Sequence, residues 1–275
     1  DVGADCMNVL LTGITGNLGY EVAAEMGRRG VTVSAWVRPG RTAAVRALPL
    51  AVNAVYESEL IEPPSTLSLE GIDRIVHCAG VVHFKQAQHQ NAAMMDTVIA
   101  LARKHDLPVH FVSTAFVYRP EGDRSPPNNS YEADKQDAEH LLMESGIRYS
   151  ISRPSVLVGH SQTGALRNFT GYYAVVRAFV SAAHASQTAG RRLRVPRMTG
   201  RSDMLPVDQA AEAIASLALT EEQNMQYVTN PQSPTSAWVL NETLSAYGLA
   251  DCVESLDISS DDYSRLDLTP EEAAL

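Results

Sequence analysis

Val9-Leu10-Leu11-Thr12-Gly13-Ile14-Thr15-Gly16-Asn17-Leu18-Gly19 decides how this chain is read, because an apolar run of strand length meets glycines at every third position. The segment that follows, residues 20–29, is apolar at helical spacing, so the whole reads as strand, tight turn and helix. Such a turn presents backbone N–H groups at a helix N-terminus, where they and the helix dipole favour a pyrophosphate. Each glycine has its own steric role, since one makes the turn, one admits a phosphate to the backbone, and one lets helix and strand pack closely. A dinucleotide site is the inference, although a structural turn without a ligand meets the same pattern. Residues 31–37 supply a second strand and complete the βαβ unit that the dinucleotide fingerprint requires.

With 275 residues, 45% of them hydrophobic and 20% charged, the chain can bury a large core, as one big domain or one domain with an appendage. The net charge of -10 argues against a nucleic-acid partner, which requires a basic face. Cys6, Cys78 and Cys252 are odd in number and far apart, so a reducing, cytoplasmic setting is expected rather than a disulfide framework. No apolar run reaches membrane-spanning length, and the acidic residues 1–5 do not resemble a signal peptide. Met7 directly precedes the first strand, and residues 1–6 are expected to form a loose tail.

Strand-like and helix-like patterns alternate along the chain, which predicts an α/β fold of the doubly wound, Rossmann type: a parallel sheet covered by helices on both faces. The break Arg38-Pro39-Gly40-Arg41 falls where the second strand of such a fold meets the adenosine ribose. An acidic residue there binds the ribose 2′-OH, whereas arginine suits a 2′-phosphate through its planar donor fork. NADP(H) is therefore expected over NAD(H), with Arg38 the first candidate and Arg41 the second; a solvated loop arginine is the competing reading. Residues 52–56 form a possible third strand and Pro63-Pro64 a break. Residues 72–80 read as a buried strand ending in the small Ala79 and Gly80, which leave room for a ligand at the carboxyl edge. Residues 91–105 are helical in pattern, residues 109–113 a strand, residues 119–130 a loop, and a helix runs from Tyr131 to about Ser145.

Tyr131 and Lys135 stand four apart and so share one helix face, with Cβ atoms about 5–6 Å apart. A phenol is a poor acid or base at neutral pH, but a neighbouring ammonium favours the phenolate. Thr114, at the carboxyl end of a neighbouring strand, could hydrogen-bond the same carbonyl oxygen. A chance pair on a solvated helix remains the alternative for Tyr131 and Lys135 taken by themselves.

Taken together, these stretches resemble the short-chain dehydrogenase/reductase superfamily, its extended branch in particular. The residues that carry the likeness are Thr12-Gly13-x-x-Gly16-x-x-Gly19, His77-Cys78-Ala79-Gly80, Ser113-Thr114-x-x-Val117-Tyr118, Tyr131-x-x-x-Lys135 and Arg153-Pro154-Ser155-Val156. Within that branch the chain looks most like the thioester reductase and fatty acyl reductase group, through Val81-Val82-His83-Phe84, Asn91, Ser113-Thr114-Ala115-Phe116-Val117 and Val158-Gly159-x-Ser161-x-Thr163-Gly164. The likeness covers about residues 7–250. It implies that Tyr131 donates a proton to a carbonyl oxygen, that Lys135 holds the nicotinamide ribose and lowers the tyrosine pKa, and that Thr114 completes the set. It further implies that Gly13, Thr15, Gly16, Asn17, Leu18 and Gly19 wrap the pyrophosphate and that Ala79 and Gly80 flank the adenosine side. By the same likeness Leu60, in Glu59-Leu60 where relatives have Asp-Leu, meets the adenine, and Pro154, Ser155 and Val156 pass the nicotinamide amide.

The implied activity is an NADPH-dependent reduction of a ketone, an aldehyde or a carrier- or CoA-bound acyl thioester. The segment between Arg41 and Ile72 and the tail after Ala250 are shorter than in thioester reductases, so a small free ketone or aldehyde fits equally. An NAD-retaining sugar-nucleotide epimerase or dehydratase and a non-catalytic NADP-binding regulator are the alternatives.

The expected layout is a core over residues 7–160, a substrate-binding region over residues 161–260 interleaved with the last core elements, and an acidic surface tail over residues 261–275. Residues 166–185 are expected to form a helix that could roof the nicotinamide, with plain core packing the safer reading for most of Tyr172, Tyr173, Val175, Val176, Phe179 and Val180. Residues 203–219 and then 226–247 should each give one more strand and helix. No metal site is expected, because the histidines are scattered without ligand spacing. Residues 159–164 miss the nucleophile-elbow spacing by one residue. Oligomeric state is left open.

Overall fold

In the computed structural model the described residues are 7–63, 67–82, 89–121, 123 and 125–275. The expected tail over residues 1–6 and the His83-Phe84 pair lie outside them. The strands are β1 Asn8–Thr12, β2 Thr32–Val37, β3 Val52–Glu57, β4 Arg74–His77, β5 Val109–Val112, β6 Tyr149–Pro154, β7 Val156–Val158, β8 Leu193–Pro196, β9 Met204–Pro206, β10 Met225–Val228 and β11 Val253–Leu256. The helices are α1 Asn17–Arg28, α2 Thr42–Arg46, α3 Gln90–His105, α4 Ser130–Glu144, α5 Tyr172–Thr188, α6 Val207–Ala218, α7 Ser236–Ala246, α8 Ser260–Tyr263 and α9 Pro270–Ala273.

The chain divides into two compact units, one reaching to Asn168 and taking up Leu205–Thr229, the other made of Phe169–Met204 and Asn230–Leu275. In the first, seven strands form one parallel sheet in the order β10-β6-β5-β4-β1-β2-β3. Strand order reverses between β1 and β4, the switch point where open α/β sheets bind ligands. β1 is apolar at consecutive positions because both of its faces are covered. Val9 and Leu11 pack with Val22 and Met26 of α1 and Ile214 of α6. Leu10 faces the other way, toward Ile75, Met95, Phe111 and Leu142. The edge strands have less to bury: β3 is half-exposed and only Val228 of β10 is buried, which explains their weak sequence patterns.

In the second unit, β8 pairs parallel with β11, and Ala183, Leu193, Val195, Leu244 and Leu249 form a small core. Two expectations are corrected here. Residues 261–275 are folded rather than a tail: Tyr263 is buried and donates to the Arg194 carbonyl at 2.8 Å, and Glu272 is 2% exposed. The acidic residues that suggested a tail begin helices or pair with arginines; Thr269 and Glu272 form a reciprocal capping box, and Arg194 bonds both Glu272 oxygens. The second correction concerns α5, which begins at Tyr172 rather than Leu166 and buries Ala182, Ala183 and Ser186. None of its six large apolar or aromatic candidates is fully buried, and Val175 is half exposed. Small residues form its buried face, and Phe179 and Val180 pack partly buried against the same core.

Candidate active site

Gly13 and Gly19 take the turn and the close-packing positions of the glycine run. Gly13 has φ +78°, and a Cβ there would lie 2.7 Å from the Ala79 nitrogen, so the turn both bends and runs against the end of β4. A Cβ on Gly19 would lie 2.2 Å from the Gly13 carbonyl oxygen, which only a glycine in α1 permits. Gly16 precedes α1 as an uncapped N-terminal residue whose N–H donates to Gly13 O at 2.9 Å. The absence of its side chain leaves the backbone open to a cavity of about 570 Å³.

Gly13, Thr15, Gly16, Ala79 and Gly80 line that cavity, together with Arg38, Arg41 and Leu60. Its volume suits a sizeable organic ligand. Glu57, at the end of β3, accepts from the N–H groups of Gly40 and Thr42 and from the Thr42 hydroxyl, so the arginine-bearing turn is tied to the sheet. Asn17, Leu18 and Gly19 do not line the cavity. The Asn17 side chain instead holds residues 167–168, donating to Asn168 O at 2.7 Å and accepting from the N–H groups of Arg167 and Asn168. Pro154, Ser155 and Val156 also lie outside the lining; Ser155 is fixed by its N–H to Val228 O at 3.1 Å, while its buried hydroxyl has no partner.

Thr114 follows β5 by two residues, and its side chain hydrogen-bonds the Tyr131 hydroxyl. The Asn129 side chain caps α4 through Glu132 N at 2.9 Å, and buried Glu132 accepts from Arg119 and Asn128. Lys135 is buried; its Nζ donates to Val112 O at 3.1 Å, lies 4.7 Å from the Phe111 ring centre and flanks Gly80. Burial brings the Lys135 ammonium down to about 8.

The Tyr131 phenol and the Lys135 ammonium are both shifted by burial. Burial pushes the phenol above its ordinary range, the Thr114 hydrogen bond works the other way, and Asp134 adds to the rise. The lysine is instead committed to a carbonyl at the strand end.

Two further groups escaped the sequence. His77 Nδ1 meets Thr12 Oγ1 at 2.8 Å, and that oxygen accepts from Ala79 N at 3.0 Å, which fixes the cavity wall. Burial, then the Lys135 charge, lowers His77 to about 3 and keeps it neutral. Asp134 bonds the start of α3. His77 opens the quoted His77-Cys78-Ala79-Gly80 stretch and Asp134 precedes Lys135, but only three-dimensional pairing reveals their partners. Cys78 is pushed up to about 12 by burial and is no nucleophile. Among the described residues there is no cluster able to hold a metal and no helix long and apolar enough to cross a membrane.

A cradle that Cβ atoms would fill and two arginines lining the same cavity fit a nicotinamide dinucleotide. Sheet order, glycine turn and the Thr-Tyr-Lys set together define an extended short-chain dehydrogenase/reductase. The NAD-binding family model described as "Male sterility protein" matches residues 61–214, more than half of the chain and all three of Thr114, Tyr131 and Lys135. The chain belongs to that family, within the thioester-reductase-like group of the extended branch.

A linear gramicidin synthase protein of Brevibacillus parabrevis is 30% identical over 172 residues, 54% of this chain and 3% of that protein. The hybrid PKS-NRPS synthetase tasS of Hapsidospora irregularis is 28% identical over 245 residues, 79% of this chain and 6% of that protein. The chain thus spans only a small part of either relative. Its fold is similar to the terminal R domain from the myxalamid PKS-NRPS pathway, with a TM-score of 0.74 at 24% identity over 93% of this chain and 72% of that one. UDP-N-acetylglucosamine 4-epimerase of Bacillus cereus shares the fold at a TM-score of 0.65 and 18% identity, over 98% and 93% of the two chains.

Proposed function

We propose that the chain is an NADPH-dependent reductase that delivers hydride to a carbonyl, with Tyr131 as the proton donor. The observation that carries this reading is the Thr114–Tyr131 hydrogen bond, made beside a buried Lys135 that flanks the glycine-lined cavity at Gly80. When bound, the dihydronicotinamide supplies the hydride. Thr114 and Tyr131 offer two hydroxyl donors to one oxygen, polarise the carbonyl and hold a proton at the phenol oxygen. A phenol raised by burial stays protonated at neutral pH, which suits an acid working in the reductive direction. Lys135, near 8, keeps most of its charge at neutral pH and would hold a ribose hydroxyl of the bound nucleotide. Arg38 and Arg41 supply donors for a 2′-phosphate.

The substrate is proposed to be a carbonyl of a biosynthetic intermediate, an acyl thioester on a carrier or CoA before a free aldehyde or ketone. The relatives support that order, since a terminal R domain and a thiolation-reductase di-domain share the fold and synthetases share the sequence. NADPH and NADH consumption measured with an acyl-CoA, an aldehyde and a ketone tests it. Faster turnover with NADH removes the arginine assignment, and protein purified with tightly held NAD moves the epimerase reading ahead.

A further inference from the structure

We propose that Asp134 is a positioning residue that sets the end of the cavity beside Lys135, a role resting on the reading of that cavity as a nucleotide site. Asp134 lies between Tyr131 and Lys135 on α4, yet its carboxylate points to another helix. Oδ2 accepts from the backbone N–H of Asn91 at 2.9 Å and from Asn91 Nδ2 at 2.7 Å, and Oδ1 accepts from Ala92 N at 3.0 Å. The residue preceding α3, His89, makes no side-chain cap, so a carboxylate from α4 satisfies donors that the first turn would leave open. Its negative charge also meets the positive end of a 16-residue helix.

Asn91 passes that constraint onward. Its Oδ1 accepts from Val81 N at 3.0 Å and its Nδ2 donates to Val81 O at 3.1 Å, so one amide holds both polar groups of one backbone unit. A Cβ built on Gly80 would lie 3.2 Å from Asn91 Oδ1 and 3.1 Å from Lys135 Nζ, which places Gly80 in a slot between them. Gly80, Val81, Gln90 and Met94 all line the cavity, so this wall consists of the segment and helix turn that Asp134 fastens. Asp134 is 7% exposed and Asn91 2%, so water does not replace these bonds when one is lost. The Arg38 wall is fastened separately, by Glu57.

The test uses the intact chain, the variants Asp134→Asn and Asn91→Ala, and their combination. Asp134→Asn keeps the shape but turns an N–H toward donors. Amide hydrogen exchange of the ligand-free proteins should show the Val81, Asn91 and Ala92 amides exchanging at least about tenfold faster in Asp134→Asn, with the β1 and β2 amides unchanged. The Kd for NADPH should rise about tenfold in each single variant, while the Kd for adenosine 2′,5′-bisphosphate, which keeps the 2′-phosphate but lacks the nicotinamide ribose assigned to Lys135, rises by less than about threefold. The double variant should lose little beyond the worse single one, as members of one chain of bonds do. Unchanged exchange at those amides, or equal weakening of both ligands, overturns the positioning role. A wild-type protein that binds neither nucleotide overturns the cofactor reading itself, a result distinct from variants that bind as the wild type does.

Discussion

Tyr131 and its partners turn a common helix spacing into a chemical site, and the electrostatics there differ from what spacing suggests. Four-residue separation puts a lysine after the tyrosine, yet burial raises the phenol, and the ammonium donates to Val112 O. Tyr131→Phe should lower kcat by about 100-fold or more while leaving the NADPH Kd nearly unchanged, because it removes only the transferable proton. Equal turnover by the variant, measured as NADPH consumption, would rule out this acid. At the other wall, Arg38→Ala should weaken NADPH by about tenfold and leave NADH within about twofold, since only the former carries the 2′-phosphate. Isothermal titration with both nucleotides checks the split.

Elements meet in this protein at places where a single atom decides the distance. Gly19 brings α1 against the turn, and Gly19→Ala must push helix and strand apart; a loss of about 1–3 kcal/mol in urea unfolding is expected, together with weaker nucleotide binding. In the second unit, Glu272 joins α9 to β8 through Arg194. The hydrogen bond from that guanidinium lowers the Glu272 carboxyl from 4.5 to about 2. A folded-state pKa below the unfolded one means the contribution is fully present above about pH 4.5 and disappears as pH falls toward 2. Wild-type melting temperature should therefore drop across that window more steeply than that of Glu272→Gln, as differential scanning fluorimetry would show.

Over the whole molecule, the order of elements in the chain is not their order in the units. Leu205–Thr229 returns to the first unit after a stretch of the second, bringing α6 under β1 and β10 onto the edge of β6. A chain ending at Met204 would uncover Val9, Leu11 and Val22 and leave β6 unpaired on one side. It should fail to unfold cooperatively by circular dichroism, whereas a mere surface extension could be removed without that effect.

The parallel sheet and the glycine turn were legible from the chain, because apolar runs of strand length, helical apolar spacing and glycine sterics are local properties that adjacent residues express directly. Element ends were legible only to within a few residues, and α5 was placed too early because its buried face is built from alanines that carry little apolar signal. The partners of Asp134 and His77, the occupation of the Asn17 amide, the raised phenol of Tyr131 and the folding of the acidic C-terminal segment were decided by tertiary structure alone. In each case the deciding partner lies tens of residues away or is the loss of water itself, and neither is written in the neighbouring sequence.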